Sequence, residues 1–209
     1  DNATEVTKAL INKDTGTYED QATVEKLTEA ENKAWNELNG VVNAAKNAID
    51  QAAKAKDDAI DGSNLTDEEK DTLKQTVAGE VNKAKAAIDG ATKDADVESA
   101  KNTGVETINN MPTTSATKDA AKNAIDQAAK AKNDAIDASN LTAEEKADLK
   151  KQVSDEVNTA KGKIDAATNN ADVASAKKTG VDNINNVNVP ATSATKDAAK
   201  NAIDQAAKA

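Results

Sequence analysis

Cysteine, histidine and arginine are missing from this 209-residue chain, and aromatic residues make up only 1% of it. Without cysteine there is no disulfide, no thiolate nucleophile and no structural zinc site of the usual kind. Without histidine no HExxH-type metal arrangement exists, and no glycine-rich phosphate loop is found either. All basic residues are lysines, the formal net charge is −10 and the isoelectric point lies near 4.7. Nucleic acid is therefore excluded as a partner, because phosphate binding needs a basic face and base readout is usually led by arginine. No apolar run approaches the ~20 residues of a membrane helix, and no leader or sorting signal is evident, so no membrane contact is expected. Both ends read as cut points in a longer chain, with any targeting or anchoring segment outside it.

What is present is helix-forming. The apolar fraction of 37% is mostly alanine, which favours helix but buries little area. Several thin cores are expected rather than one large one. Internal repetition accounts for them. Lys46–Met111 aligns without a gap to Lys122–Val187 at an offset of 76 (122 − 46), with 46 of 66 positions identical. A third copy opens at Ala198 and continues through Ile203 and Asp204, 78 residues further on, because Val187-Asn188-Val189-Pro190 is two residues longer than Met111-Pro112. The substitutions between copies separate core from coat. Ile49, Ile60, Leu65, Leu73, Val77, Val81, Ile88, Val97, Val105 and Ile108 recur unchanged, whereas Asp57 becomes Asn133, Gln75 becomes Lys151 and Ala87 becomes Lys163.

Each repeat carries three helical stripes. In the second copy Ala121, Ile125, Ala128, Lys132 and Ile136 follow one helical face, with Lys132 long enough to snorkel. Thr142 and Glu145 form a capping box, as Thr66 and Glu69 do in the first copy, and lead into the stripe Leu149, Val153, Val157, Ala160, Ile164 and Ala167. Val173, Ala176, Gly180, Val181 and Ile184 give the third. Three amphipathic helices in about 75 residues predict an all-α fold of tandem antiparallel three-helix bundles, arranged as an extended rod. A long coiled coil is the rival, opposed by the mid-repeat capping box, the Ser139-Asn140 turn and spacings that break a strict 3.5 period. Gly104 and Gly180, inside the third helices, are read as points of close helix approach rather than hinges.

The expected domains are an N-terminal non-repeat segment over 1–40, repeat 1 over 41–111, repeat 2 over 112–189 and the truncated start of repeat 3 over 190–209. Val24, Leu27, Ala34, Leu38, Val41 and Ala45 predict a helix from about Thr23 that runs on into repeat 1, with Gly40 as the one place for a kink. Lys13–Tyr18 reads as a loop. Trp35 and Tyr18, both outside the duplication, are expected to pack a capping or junction element.

No catalytic, cofactor-binding or metal-binding residues are assigned. The recurrent acids Asp50, Asp61 and Asp89, with their copies Asp126, Asp137 and Asp165, are read as a solvated face, since a bundle lacking aromatics has no cleft to shift a carboxyl pKa. Calcium in the acidic stretch Asp89–Asp96 fails for want of EF-hand spacing, and Lys93 and Asp94 become Asn169 and Asn170 in the second copy.

The run Ala121–Asp126, with Ile136-Asp137, Leu141–Lys146, Ala171–Val173 and Thr179–Val181, resembles the uncharacterised repeat domain found in tandem in wall-anchored surface proteins of staphylococci, lactobacilli and streptococci. These include Ebh-like matrix-binding proteins, FmtB-like proteins and cell-accumulation adhesins of biofilms. The resemblance covers residues 41–209. It implies an extracellular, wall-anchored location and a stalk or spacer role for a non-enzymatic segment whose first partners are adjacent repeats of the same protein. The alternative is a module that binds a host matrix or plasma protein, or its own kind on another cell. Such a module would keep a polar patch unchanged between copies, and Lys46, Asp50, Gln51, Lys54, Glu68, Glu69 and Lys70 are unchanged. Helix caps and i,i+4 pairs would keep them equally well.

Overall fold

The computed structural model of the chain describes residues 21–208. Among them every regular element is an α-helix: α1 (Gln21–Asp61), α2 (Asp67–Asp89), α3 (Asp94–Asn109), α4 (Ala116–Ala138), α5 (Ala143–Ala166), α6 (Asn170–Asn186) and α7 (Ala194–Ala206). The second half of α1 with α2 and α3 is the first three-helix bundle; α4, α5 and α6 are the second.

Caps written in the sequence set the helix starts. Thr142 accepts from the Glu145 amide at 3.3 Å while Glu145 accepts from the Thr142 amide at 2.9 Å. Thr66 and Glu69 repeat the reciprocal pair at 3.3 and 3.0 Å. Ser115, Asn169 and Ser193 cap α4, α6 and α7 with their side chains. Lys93, at the position of Asn169, offers α3 no side-chain cap. The change across the acidic stretch is thus a change of helix cap.

The helix ends answer to lysines from elsewhere in the fold. Lys146 donates to the Asp137 carbonyl at 2.9 Å at the end of α4, and Lys118 to that of Asp165 at 2.9 Å at the end of α5. Lys132 donates to the Asn185 and Val187 carbonyls at 2.7 and 2.9 Å at the end of α6. In the first repeat Lys70 and Lys56 do likewise, to Asp61 and to Asn109 and Met111. An ammonium at a helix C-terminus meets both the orphan carbonyls and the negative end of the dipole. Lys132 therefore does more than snorkel.

The second core gathers Ala121, Ile125, Ile136, Val153, Ala160, Ile164, Val173 and Ile184, flanked by half-buried Leu149, Val157, Ala167, Ala176 and Val181. Each stripe read from the sequence thus turns inward. In the first repeat Ile49, Ile60, Leu65, Val77, Ile88, Val97 and Ile108 are buried, and Leu73, Val81 and Val105 are half-buried. Gly180 is where the helices come closest. A Cβ built there would lie 2.5 Å from Ala160 Cβ and 2.7 Å from Ile125 Cδ1; at Gly104 the same atoms of Ala84 and Ile49 stand at 2.6 and 2.7 Å. Close approach is the role of both glycines.

The N-terminal helix runs without interruption through Gly40 into repeat 1. Its burial grows along its length: Val24 and Ala34 are exposed, Leu27, Leu38 and Val41 half-buried, and Ala45 buried. Trp35 corrects the expectation that it packs a junction, because it is 67% exposed. At 100° per residue it lies about 80° off the line through Leu27, Leu38 and Ala45. Tyr18 and the Lys13–Tyr18 loop lie outside the described residues.

Two compact units result. One joins the described residues up to Ala59 with Lys74–Pro112; the other joins Ile60–Leu73 with the described residues from Thr113 onward. The turn between the first two helices of repeat 1 therefore packs as part of the second unit.

Candidate functional site

Unchanged polar residues mark where a site would be, and the structure gives most of them an internal partner. Lys46 pairs with Asp89 and Lys122 with Asp165. Lys85 meets Asp50 at 2.6 Å and Lys161 meets Asp126 at 2.7 Å. Lys150 reaches Asp137 at 2.7 Å, and Lys54 holds Asp58 one turn on at 2.9 Å. The recurrent acids are therefore solvent-facing but paired, mostly between the first and second helices of a repeat. Such exposed pairs contribute little stability each; they fix which helix faces which.

Glu68, Glu69 and Lys70 belong to the Ile60–Leu73 segment and hence to the second unit. Glu69 Oε2 accepts from the Thr66 amide at 3.0 Å and from Ser115 Oγ at 2.6 Å, and its Oε1 accepts from the Thr117 amide at 2.9 Å. One carboxylate thus caps its own helix α2 and the start of α4. Burial pushes its pKa up, but the bonds from Ser115, Thr117 and Thr66 outweigh that and hold it down to about 2. Glu68 accepts from the Asn170 amide at 3.1 Å, at the start of α6. Both helix N-termini at the base of repeat 2 are therefore met by an anion, the sign the helix dipole favours there. The Asp67 amide donates to the Thr168 carbonyl at 2.8 Å, and buried Thr66 donates to Asn170 Oδ1 at 2.7 Å.

Lys118 completes the arrangement. It is 2% exposed, and its ammonium donates to Asn64 Oδ1 at 2.8 Å as well as to the Asp165 carbonyl. A buried ammonium persists only where such acceptors meet it. The same parts recur one repeat on. Glu145 accepts from the Thr195 amide and hydroxyl, each at 3.1 Å, and Lys196 donates to the Asn140 carbonyl at 2.9 Å. Bonds from Thr142, Ser193 and Thr195 hold the Glu145 pKa down to about 2.

Sequence reasoning kept Glu68, Glu69 and Lys70 together but missed what they face. The signal was present: Thr114–Ala131 and Thr192–Ala209 are identical, and both hold Ser-Ala-Thr-Lys. The arrangement can orient one helix pair on another. Among the described residues no group of three or more potential ligands could hold a metal ion, and no helix is long and apolar enough to cross a membrane.

Compared with known families, the chain matches the model of a domain of unknown function, DUF1542, twice in tandem, over residues 41–115 and 117–192. The chain belongs to the DUF1542 family. This domain is the repeat of Gram-positive surface proteins of the Ebh and FmtB kind, so the tandem DUF1542 arrangement is consistent with a surface-protein repeat region. No curated protein and no solved structure matches the chain. The DUF1542 matches begin at residue 41, so the first half of α1 precedes the first repeat.

Proposed function

We propose that the chain is a structural spacer in a bacterial surface adhesin, extracellular and wall-anchored through parts of the protein outside it, holding a distal adhesive domain away from the cell wall. It acts without catalysis, and its constant partners are neighbouring repeats. The observation that carries this reading is where the polar groups that recur at the repeat junctions go. Glu68, Glu69, Lys70 and Lys118 bond to the protein itself, at the turn of one repeat and the start of the next. An aromatic-poor, arginine-free coat also lacks the residues that dominate binding hot spots. Length then comes from copy number, as a spacer requires.

Small-angle scattering across a concentration series tests the proposal. A compact globule of this length has a radius of gyration of roughly 17 Å. Helices of 24 residues are about 36 Å long, and successive bundles end to end raise the radius toward roughly 30 Å. A concentration-independent monomer of the larger radius is the expected result. A compact monomer overturns the spacer, and mass rising toward a dimer replaces it with adhesion between repeats of different cells.

A further inference from the structure

The first repeat opens differently from the two that come after a repeat. At the positions of Ser115-Ala116-Thr117-Lys118 and Ser193-Ala194-Thr195-Lys196 it has Asn39-Gly40-Val41-Val42. Val42 supplies no ammonium where Lys118 binds Asn64 and Asp165, and Val41 no hydroxyl where Thr195 binds Glu145. A second departure falls on the same face. Asn170, whose amide and Oδ1 meet Glu68 and Thr66, is matched in the first repeat by Asp94. An aspartate at 170 would set a like charge beside Glu68, so the first repeat both lacks the donors for a preceding Glu-Glu turn and carries an anion against one.

From this we infer that Ser-Ala-Thr-Lys, with asparagine at the start of the third helix, is the recognition element by which a repeat docks on the turn of the repeat before it, and that a repeat without it is built to follow something else. The partner it fits is defined chemically: a helix turn holding Asn-Leu-Thr-x-Glu-Glu, as at Asn64–Glu69 and Asn140–Glu145. Thr66, Glu68 and Glu69 then meet both helix N-termini of the incoming repeat, and Asn64 takes its lysine. In the first repeat α1 continues straight through the position where such a start would stand, so the helix before residue 41 takes the place of a docked repeat. This docking rests on bonding geometry and holds whether or not the array acts as a spacer.

Hydrogen exchange read by NMR on the full chain tests it, with two single variants. Asn170→Asp gives the second repeat the first repeat's residue, and Lys118→Met keeps the stem while removing the ammonium. The reporter is the Asp67 amide, bonded to Thr168; the control is the Val153 amide inside α5. An aspartate in the first turn favours α6 itself, so a purely helical role for residue 170 slows exchange or leaves it unchanged. The expected result is exchange at Asp67 faster by roughly tenfold in each variant, with Val153 unchanged. Unchanged exchange at Asp67 in both variants overturns the inference. Should Lys118→Met accelerate Val153 equally, through loss of its cap on α5, Asn170→Asp alone decides.

Discussion

Glu69 and Thr117 lie 48 residues apart in sequence, yet the Thr117 amide donates to Glu69 Oε1 at 2.9 Å while Oε2 serves Thr66 and Ser115. The carboxylate is shared by two helix starts, and its ionised form is the one these donors require. The folded pKa of about 2 lies below the ordinary 4.5. A depressed carboxyl contributes stability above its unfolded pKa and loses it as pH falls through the folded value. Acid titration followed by circular dichroism is therefore expected to leave thermal stability level above about pH 5 and lower it progressively toward pH 2. Glu69→Gln should remove part of that slope, with Glu145, also held at about 2, keeping the rest, and cost on the order of 1–2 kcal/mol at neutral pH. An unaltered acid limb in Glu69→Gln would assign the slope to other carboxylates.

Two glycines one helix apart answer a second question. Gly162, inside α5, has open space where a Cβ would go, whereas at Gly180 the Cβ meets Ala160 and Ile125. Gly162→Ala is expected to raise stability by about 0.5–1 kcal/mol through helix propensity. Gly180→Ala carries the same propensity gain, but overpacking outweighs it and a net loss of about 1–2 kcal/mol results. Calorimetry of both variants checks the opposite signs; a stabilised Gly180→Ala would mean that α5 and α6 move apart without penalty.

Lys132 tests the helix-end caps. Lys132→Met keeps the apolar stem in place and strips the Asn185 and Val187 carbonyls of their shared donor. A loss of about 1–2 kcal/mol is expected in urea unfolding, with the last turn of α6 exchanging amide protons faster. If stability is unchanged, water serves those carbonyls as well as the ammonium does.

The bundle interior was legible because duplication had already sorted the chain. Ile125, Val153, Ile164 and Ile184 are both the residues that recur at helical spacing and the residues that close the second core. The capping boxes were legible for a similar reason: Thr142 and Glu145 bond within four residues, a range over which sequence fixes geometry. Trp35 was misread because an aromatic outside the repeats invites a packing role, yet it stands in the first half of α1, where Val24 and Ala34 are exposed as well. The partners of Glu69 were signalled only by the repetition of Ser-Ala-Thr-Lys at residues 115–118 and 193–196, since nothing local in Thr66–Lys70 tells that the Ser115 hydroxyl lies 2.6 Å from its carboxylate.

By itself the sequence determined the helices, their caps, their inward faces and the length of the repeat, because helix propensity, 3.6-residue periodicity and capping act between residues a few positions apart. Only the tertiary structure decided that Lys118 is buried against Asn64 and Asp165, and that the Ile60–Leu73 turn packs with the following repeat. Those pairings join residues about fifty positions apart, and an exposed and a buried lysine are written with the same letter. What separates them is how many acceptors the fold brings within about 3 Å of the ammonium.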